Sequence, residues 1–375
     1  METKYTVNAV PSLTWNWLKS NNDIIEISGT FEVAQAKIDS IPGGVTLSAQ
    51  GPITSLPQTE TAILNIPNTK FGDKAVTPQN ARITTAAKTA KEEISAIIES
   101  TAKNQYLTIE GKTAEPVVLV IDTKGNTVSQ QIIHAKENSE ATVILLFKSD
   151  DEAATQIVTT KVYAEAYAKL HVIKVQLLSE KTLQLDDTQF SEGDNAFVKF
   201  SQIELGGQHV ASGLHSDLHG YQASFESEVA YLCQKNQCFD MNHMVYHYGK
   251  KTECNMQVNG TLKDNAVKAY RGTIDFKKGC CGSKGNEMEE TLILSPTAVN
   301  KSLPIILCDE EDVEGEHGAT IGKLSSDILF YMESRGIDEK EAEQIMARAK
   351  IQAVADAIPQ EDIKNLVIEY LEKNI

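Results

Sequence analysis

The chain has 375 residues and a formal net charge of −17, from 52 acidic and 35 basic residues. This length is long for one domain and short for three. The 41% hydrophobic and 23% charged residues are typical of a globular protein whose core needs neither a disulfide nor a metal. The acidic excess repels phosphate backbones, and no cluster of basic and aromatic residues offsets it, which argues against a nucleic-acid partner.

The first 17 residues lack the basic and apolar segments of a secretory signal, and no apolar stretch approaches the roughly 20 residues that cross a bilayer. We therefore expect a cytoplasmic protein with no membrane partner, whose cysteines are thiols. No two cysteines form a CxxC pair, which disfavours a zinc ribbon or finger. All six lie in the second half of the chain: Cys233, Cys238, Cys254, Cys280, Cys281 and Cys308.

Residues 1–112 form a segment of mixed character. One helix is predicted over residues 85–100, where Ala87, Ile94 and Ile98 fall close to helical spacing. We expect a mixed α/β region here.

A long series of strand signals fills the middle of the chain, from about residue 116 to residue 308. The most sustained alternation runs from Val162 to Val172, where every second residue is apolar and would point the same way along a strand. Turn signals such as Gly206-Gly207 separate the runs. Many short, evenly spaced strands predict a β-sandwich, a β-barrel or a β-helix, and spacing alone does not choose among them. No strict repeat is visible.

The end of the chain predicts three helices. The first lies near residues 326–334 and stops at Gly336. Asp338, with a glutamate three residues later, opens the second helix, and Pro359 is expected in the first turn of the third. Such helices more often pack on their own core than dock a partner, although their terminal position suits docking. The residues expected on the buried sides are Ile345, Met346, Ala349 and Ala353 in the second helix, and Ile363, Leu366, Val367 and Tyr370 in the third.

Five segments carry a resemblance to a known family. They are residues 247–251 (His-Tyr-Gly-Lys-Lys), 269–272 (Ala-Tyr-Arg-Gly), 302–304 (Ser-Leu-Pro), 312–322 and 327–337. In the last two segments, a His-Gly-Ala-Thr turn precedes a helix and a Ser-Arg-Gly-Ile break. From about residue 197 to its end, the chain resembles the SufB/SufD family of the SUF system, which assembles iron–sulfur clusters.

The resemblance implies a right-handed β-helix core at residues 113–318, between an N-terminal region at 1–112 and a C-terminal helical domain at 319–375. It implies pairing through the β-helix, with a SufB-type chain or with a second copy as a homodimer. It also implies that the C-terminal helices bind SufC, an ABC-type ATPase. A transient iron–sulfur cluster would form at the interface, with sulfur from a cysteine desulfurase. The chain would then be a scaffold subunit and not an enzyme.

His317 is the leading candidate for a cluster or iron ligand. The resemblance matches it to a histidine implicated in cluster binding near the subunit interface, and imidazole is a suitable ligand for iron. From the residues alone, the alternative is that His317 caps the turn into the following helix. Glu316 is a candidate second ligand, although a solvated carboxylate in an acidic run is the plainer interpretation.

Two departures from the SufB pattern favour the SufD type. SufB-type chains carry a scaffold cysteine where this chain has Ala298, and a His-Glu pair where it has His317-Gly318. Both departures argue against a whole cluster held by this chain alone.

Cys280 and Cys281 lie within Lys-Lys-Gly-Cys-Cys-Gly-Ser-Lys-Gly, at residues 277–285. We expect an exposed loop, in which the three lysines lower the thiol pKa and favour the reactive thiolate. The hypothesis is a pair that accepts sulfur or holds a cluster, and the alternative is a loop without chemistry. The other cysteines, Cys233, Cys238, Cys254 and Cys308, are expected to be buried structural thiols, and His209, His215, His219, His243 and His247 are also expected to be structural.

Two other functions compete with the scaffold. One is a β-helix carbohydrate-active enzyme, which needs paired carboxylates on neighbouring turns, and no specific pair stands out. The other is a purely architectural subunit that binds its partners without touching iron. The sequence contains no GxxxxGK[ST] loop, so ATP hydrolysis would come from a partner and no nucleotide is expected on this chain.

Overall fold

The computed structural model describes residues 3–8, 10, 20–34, 36–49 and 104–375. The helix predicted over residues 85–100 lies outside these residues. The described strands are β1 (Thr3–Val7), β2 (Asp23–Ile27), β3 (Glu32–Val33), β4 (Lys37–Ser40), β5 (Val45–Ala49), β6 (Asn104–Ile109), β7 (Val117–Thr123), β8 (Thr127–Ala135), β9 (Glu140–Ser149), β10 (Ala154–Ala164), β11 (Lys169–Leu177), β12 (Thr182–Glu192), β13 (Phe197–Glu204), β14 (His209–Leu218), β15 (Ser224–Cys233), β16 (Cys238–His247), β17 (Glu253–Leu262), β18 (Val267–Phe276), β19 (Ser283–Ile293), β20 (Val299–Cys308) and β21 (Val313–Gly322). The described helices are α1 (Ser326–Glu333), α2 (Glu339–Ala355) and α3 (Glu361–Asn374).

From β7 onward, consecutive strands alternate between two sheets, and from β8 onward each strand pairs in parallel with the strand two places earlier along the chain. One sheet has the order β20-β18-β16-β14-β12-β10-β8-β6-β5, with β3 beside β8. The other has the order β21-β19-β17-β15-β13-β11-β9-β7-β4. The chain is therefore a mainly β solenoid of about 8 turns with 55% strand. This confirms the β-helix among the three predicted alternatives.

The first strands after the N-terminal hairpin already belong to this coil. β6 pairs in parallel with β8, while β5 joins β6 and β4 joins β7 in antiparallel pairs. At the other end, β21 reaches Gly322 before the helices begin. Continuous pairing thus crosses residue 112 and continues past residue 318. The division into three domains stays a prediction.

The alternation predicted from Val162 to Val172 is correct as a burial pattern but wrong as one continuous strand. β10 ends at Ala164 and β11 begins at Lys169 in the opposite sheet. Tyr167, at the corner between them, has a φ of 59°. Ala164 and Ala168 are both buried, whereas Ala166 in the corner is only half-buried, so the alternation of inward residues resumes in step after the corner.

Such corners recur along one side of the solenoid and are hydrogen-bonded to one another. Each contains a residue with φ between 54° and 60°, and the N–H of that residue donates to a carbonyl of the next corner. The chain can therefore leave one sheet and enter the other at the same height in every turn. In the corners on this side, the residues are Asn138, Tyr167, Asn195, Gln222 and Lys251.

The space between the sheets is filled by an apolar core that includes Phe147, Phe190, Phe200 and Phe225. Inward positions also carry charged residues. Lys174 donates to Asp186 at 2.6 Å, and Lys268 donates to Glu289, with all four side chains at most 5% exposed. These four buried charges form two ion pairs, which offsets part of the cost of their desolvation.

The β1–β2 hairpin packs on the outer face of the ten-stranded sheet through Tyr5, Val7, Ile25 and Ile27. A buried ion pair between Arg271 and Asp240 anchors the same region. The Arg271 Nε donates to the carbonyl of Ser20 at 2.8 Å, and the Asn8 amide donates to Asp240 Oδ1 at 2.7 Å.

α2 and α3 cover the outer face of the nine-stranded sheet, where Ile351 and Val367 join a buried cluster. The predicted stop at Gly336 is confirmed by its φ of +85°. The predicted cap is also confirmed, because Asp338 accepts from the Glu341 N–H at 2.8 Å. Pro359 precedes the N-cap of α3 at Gln360 and so lies outside the helix, contrary to prediction.

The predicted buried face of α2 is wrong. Ile345 is 41% exposed, Ala349 and Ala353 are also exposed, and Met346 is only half-buried. The sheet determines which side is covered, and it covers Ala342, Ala347, Ile351, Val354 and Ala355. In α3, Ile363 and Val367 are buried as predicted, and Leu366 and Tyr370 pack against the same cluster.

Replacing Arg271 by methionine should destabilise the protein by about 3 kcal/mol, because Asp240 would stay buried without its cation. Urea unfolding followed by circular dichroism measures this. The control is Lys4→Met, which removes the exposed Lys4–Glu26 pair of the same hairpin and should cost less than about 1 kcal/mol. Equal midpoints for Arg271→Met and the wild type would contradict the assigned anchoring role.

The hairpin should also loosen at alkaline pH. Burial opposes the charge on His209, but hydrogen bonds to Asp23 and Cys238 outweigh it and raise the pKa of His209 to about 10. Because this folded-state pKa exceeds the ordinary value of 6.5, the stabilisation is complete below pH 6.5 and is lost as pH rises through about 10. Urea midpoints compared at pH 6 and at about pH 10 should differ less in His209→Gln than in the wild type. Identical pH dependence in both proteins would show that His209 contributes nothing to it.

Candidate functional site

His317 lies in the middle of β21, the outermost strand of the nine-stranded sheet, and its side chain is exposed. The segment is therefore a strand, and neither the predicted turn nor the alternative in which His317 caps the following helix is correct. α1 begins at Ser326 and is capped by the Ser325 side chain, which accepts from the Ile328 N–H. Within the described sheet no strand lies beyond β21, so His317 stands at the open end of the solenoid.

The register of β21 determines which side chains share a face with His317. His317 pairs with Glu287 of the parallel strand β19, and Glu287 pairs with the buried Met256 of β17. His317 therefore belongs to the inward-facing positions of its sheet. Because side chains alternate along a strand, Glu316 points to the opposite face. The structure does not bring the two predicted ligands together.

Glu287 is a functional candidate that sequence reasoning missed. Its side chain is only 2% exposed, and its Oε2 has no hydrogen-bond partner among the described residues. Burial, followed by the negative charge of Glu289, raises the pKa of Glu287 to about 8. A β carbon on Gly272 would lie 2.0 Å from Glu287 Oε1, so the glycine makes room for this carboxyl group. Residues 286–290 read Asn-Glu-Met-Glu-Glu, a polar run that gives no sign of a buried carboxyl.

Cys280 and Cys281 have opposite environments, although both were expected in an exposed loop. Cys280 is fully buried against the core, whereas Cys281 is exposed. Cys280 is buried because it occupies the corner position that glycines hold in the three preceding turns. Burial raises the pKa of Cys280 to about 11.

The expected effect of lysines on Cys281 is wrong. Its Sγ donates to Asp312 Oδ2 at 2.6 Å, and this hydrogen bond is the largest cause that raises the pKa of Cys281. Two lysines of the segment are engaged elsewhere, since Lys277 pairs with Asp275 and Lys284 with Glu314. The thiolate is therefore disfavoured at both cysteines.

The cysteine corner and His317 are separate features. Ser283, two residues after Cys281, pairs with Val313, and His317 lies four residues further along β21, which is about 13 Å at the rise of a strand. In the described part of the chain, no group of three or more His, Cys, Asp or Glu residues is placed to hold a metal ion.

The remaining cysteines and histidines largely match the structural roles expected for them. Cys233 and Cys254 are buried, but Cys238 is only half-buried and Cys308 is exposed, contrary to prediction. His247 bonds to Thr252 Oγ1 at 2.7 Å and contacts Cys254 Sγ at 3.2 Å, while burial lowers its pKa to about 3. None of the helices in the described residues is long and apolar enough to span a membrane.

Replacing Asp312 by asparagine should make Cys281 react several-fold faster with iodoacetamide at pH 8, because the carboxylate that raises its pKa is removed. Mass spectrometry of the native protein would follow each cysteine, and Cys280 should stay unlabelled until unfolding. Glu314→Gln is the control, since Glu314 pairs with Lys284 and not with a cysteine. Unchanged labelling of Cys281 in Asp312→Asn would contradict the assigned pKa effect.

Comparison with protein families matches residues 119–350 to the family described as "SUF system FeS cluster assembly, SufBD core domain". The iron–sulfur cluster assembly protein SufD of Bacillus subtilis (strain 168) is 26% identical over 160 residues, which are 43% of this chain and 37% of that protein. SufD of Plasmodium berghei (strain Anka) is 24% identical over 216 residues, 57% of this chain and 16% of that protein. A SufBD family protein of Synechocystis sp. is 24% identical over 170 residues, 45% of this chain and 35% of that protein.

The matched regions thus span well under half the length of these relatives. The family match nevertheless covers more than half of this chain and includes most of the solenoid. The chain therefore belongs to the SufBD family of the SUF system for iron–sulfur cluster assembly, and it is of the SufD type.

Proposed function

We propose that this chain is a scaffold subunit for iron–sulfur cluster assembly, with no small-molecule turnover of its own. The observation that carries the proposal is the position of His317, exposed on the last strand at the open end of a SufBD-family solenoid. Iron and sulfide are the cargo of this role and are held transiently. A cytoplasmic, reducing location belongs to the same proposal, because the six cysteines are free thiols.

The open end is the proposed surface for pairing. β20 and β21 are each ten residues long, and each leaves one backbone edge without a strand partner in the described sheets. Such edges invite pairing with another chain. Val299 and Ile321, on these two strands, are 43% and 42% exposed, so apolar surface accompanies the free edges. A SufB-type chain or a second copy of this chain would cover this surface.

The proposed docking site for a SufC-type ATPase is α1. It buries none of its residues, and Phe330 and Tyr331 are 74% and 59% exposed. Exposed aromatic residues of this size are typical anchors at protein interfaces. Since the chain lacks a phosphate-binding loop, nucleotide would bind to the partner.

A cysteine desulfurase system is the proposed sulfur source, and Cys281 is the accessible member of the cysteine pair. Its raised pKa gives no support to a preformed thiolate, so a sulfur-accepting role would need Asp312 to move away. The family membership favours the scaffold over a carbohydrate-active enzyme.

A purely architectural subunit is the second candidate. It is favoured by the finding that the described residues provide no group of three ligands for a metal. The two candidates differ in one respect: only the scaffold needs His317 to contact iron.

Anaerobic reconstitution distinguishes the cluster-binding scaffold from the purely architectural subunit. The chain, alone and with a SufB-type partner, is supplied with iron, sulfide and reductant, and the sulfide-to-iron absorption band is recorded with the iron and sulfide content. We expect His317→Ala to lose most of the band formed by the pair, because an imidazole ligand is removed. Glu316→Gln, one residue away on the opposite face, should behave as the wild type.

A Cys280→Ser/Cys281→Ser variant tests the cysteine pair in the same assay. A full band in His317→Ala would overturn the ligand role and leave the architectural subunit. The absence of any band from wild-type chain and partner together would overturn the scaffold itself.

A further inference from the structure

We propose that Glu287 is the carboxylate partner of His317 in a two-ligand half-site for a divalent metal, Fe²⁺ in the assembly reaction. This inference rests on the scaffold role proposed above, and it adds Glu287, a residue that the family resemblance did not indicate. The half-site lies at the open end of the solenoid, on the inward face of β19 and β21.

The strand register provides the first support. Glu287 and His317 are paired residues of neighbouring parallel strands, and such strands lie about 4.8 Å apart. Their side chains point to the same face, so both can reach one ion between them. Glu316 and Met288 occupy the opposite face and are excluded from it.

The charges of the interior provide the second support. Two carboxylates, Glu287 and Glu289, are buried on the inward face of β19, and Lys268 is the cation that faces them. Lys268 is already committed to Glu289, which also accepts from Thr291 and Ser302. No cation is paired with Glu287 among the described residues; the Tyr270 hydroxyl faces its carboxyl group, and its Oε2 accepts no hydrogen bond. A buried carboxylate without a paired cation is costly, and a bound metal ion would remove that cost.

Space at the site provides the third support. Gly272 lies on β18, in the facing sheet, where a β carbon would come within 2.0 Å of Glu287 Oε1 and 2.3 Å of its Cδ. The carboxyl group therefore occupies the room that this glycine leaves. It is held in place by the fold rather than by a hydrogen bond to Oε2.

The ligand types suit the metal. Imidazole nitrogen and carboxylate oxygen both coordinate Fe²⁺, and two protein ligands leave several coordination positions open. This agrees with the absence of a three-ligand group among the described residues. The open positions face the end of the solenoid, where sulfide and a partner chain would supply the rest.

Cobalt binding to the full chain tests the half-site, with Co²⁺ as a coloured substitute for Fe²⁺. Anaerobic titration followed by the visible Co²⁺ spectrum gives a dissociation constant. We expect Glu287→Gln and His317→Ala each to weaken binding at least about ten-fold. Glu316→Gln is the matched control, since it makes the same change on the opposite face, and its affinity should equal that of the wild type.

Gly272→Ala provides a second variant that leaves both ligands in the sequence. The added methyl group displaces the Glu287 carboxyl, so Co²⁺ binding should weaken as in Glu287→Gln. Circular dichroism melting of every variant establishes that it is folded. Wild-type affinity in a folded Glu287→Gln, equal weakening in Glu316→Gln, or no Co²⁺ binding by the wild type would each overturn the half-site.

Reconstitution with a SufB-type partner separates this inference from the proposed function. If Co²⁺ binding depends on Glu287 and His317 but the pair forms no cluster, the half-site stands and the scaffold role fails. If Glu287→Gln binds Co²⁺ as the wild type does and still forms a full cluster together with the SufB-type partner, the scaffold role stands and the half-site is wrong.

Discussion

The in-register stacking of corners is the constraint on which the rest of the molecule depends. At each corner on one side, a residue with positive φ donates its N–H to a carbonyl of the next turn, from Asn138 to Lys251. A hydrogen bond between successive corners forces every turn to cross between the sheets at the same height. The alternation of inward and outward side chains therefore carries through from one strand to the next, and one residue more or less in a strand would reverse it.

Once the alternation is fixed, polar residues at inward positions have no way to reach solvent and must find partners inside. Lys174 with Asp186 and Lys268 with Glu289 do so in different turns. Burying such a pair costs desolvation free energy, which the attraction between the two charges offsets while both members are present. Removing one member leaves a buried charge without its counter-ion. Glu287 has an unpaired Oε2, as Glu192 and Glu204 have in earlier turns. Of these three carboxyl groups, that of Glu287 lies where the described stack ends, because the strand beside it is the last of its sheet.

Much of the fold was predictable, and the failures have physical causes. Alternation identified the inward residues on both sides of Tyr167, but it could not reveal the corner, because the positive-φ position is held by Asn, Tyr, Gln and Lys in different turns. Because the conformation repeats while the residue type changes, the sequence shows no detectable period at this position. The end of α1 at Gly336 and the Asp338 cap of α2 were predicted from local chemistry, whereas the buried face of α2 depends on the sheet it meets. His317 came from the family resemblance, and Glu287 was missed because an acidic run usually faces solvent.

A solenoid differs from a closed barrel in that the strands of its last turn each lack a hydrogen-bonding neighbour on one side. The final strands keep free backbone edges, and the space between the two sheets is open at this end. His317 lies on the last strand, and Glu287 lies on the neighbouring strand of the same sheet. On the proposed role, a metal site at this end would be incomplete for the same reason that the sheet is incomplete, because the next strand would belong to another chain. On the proposed role, pairing and metal coordination are therefore one event. The cysteine corner, about 13 Å along the strand, lies outside that event because Asp312 raises the pKa of the Cys281 thiol and Cys280 is buried in the core.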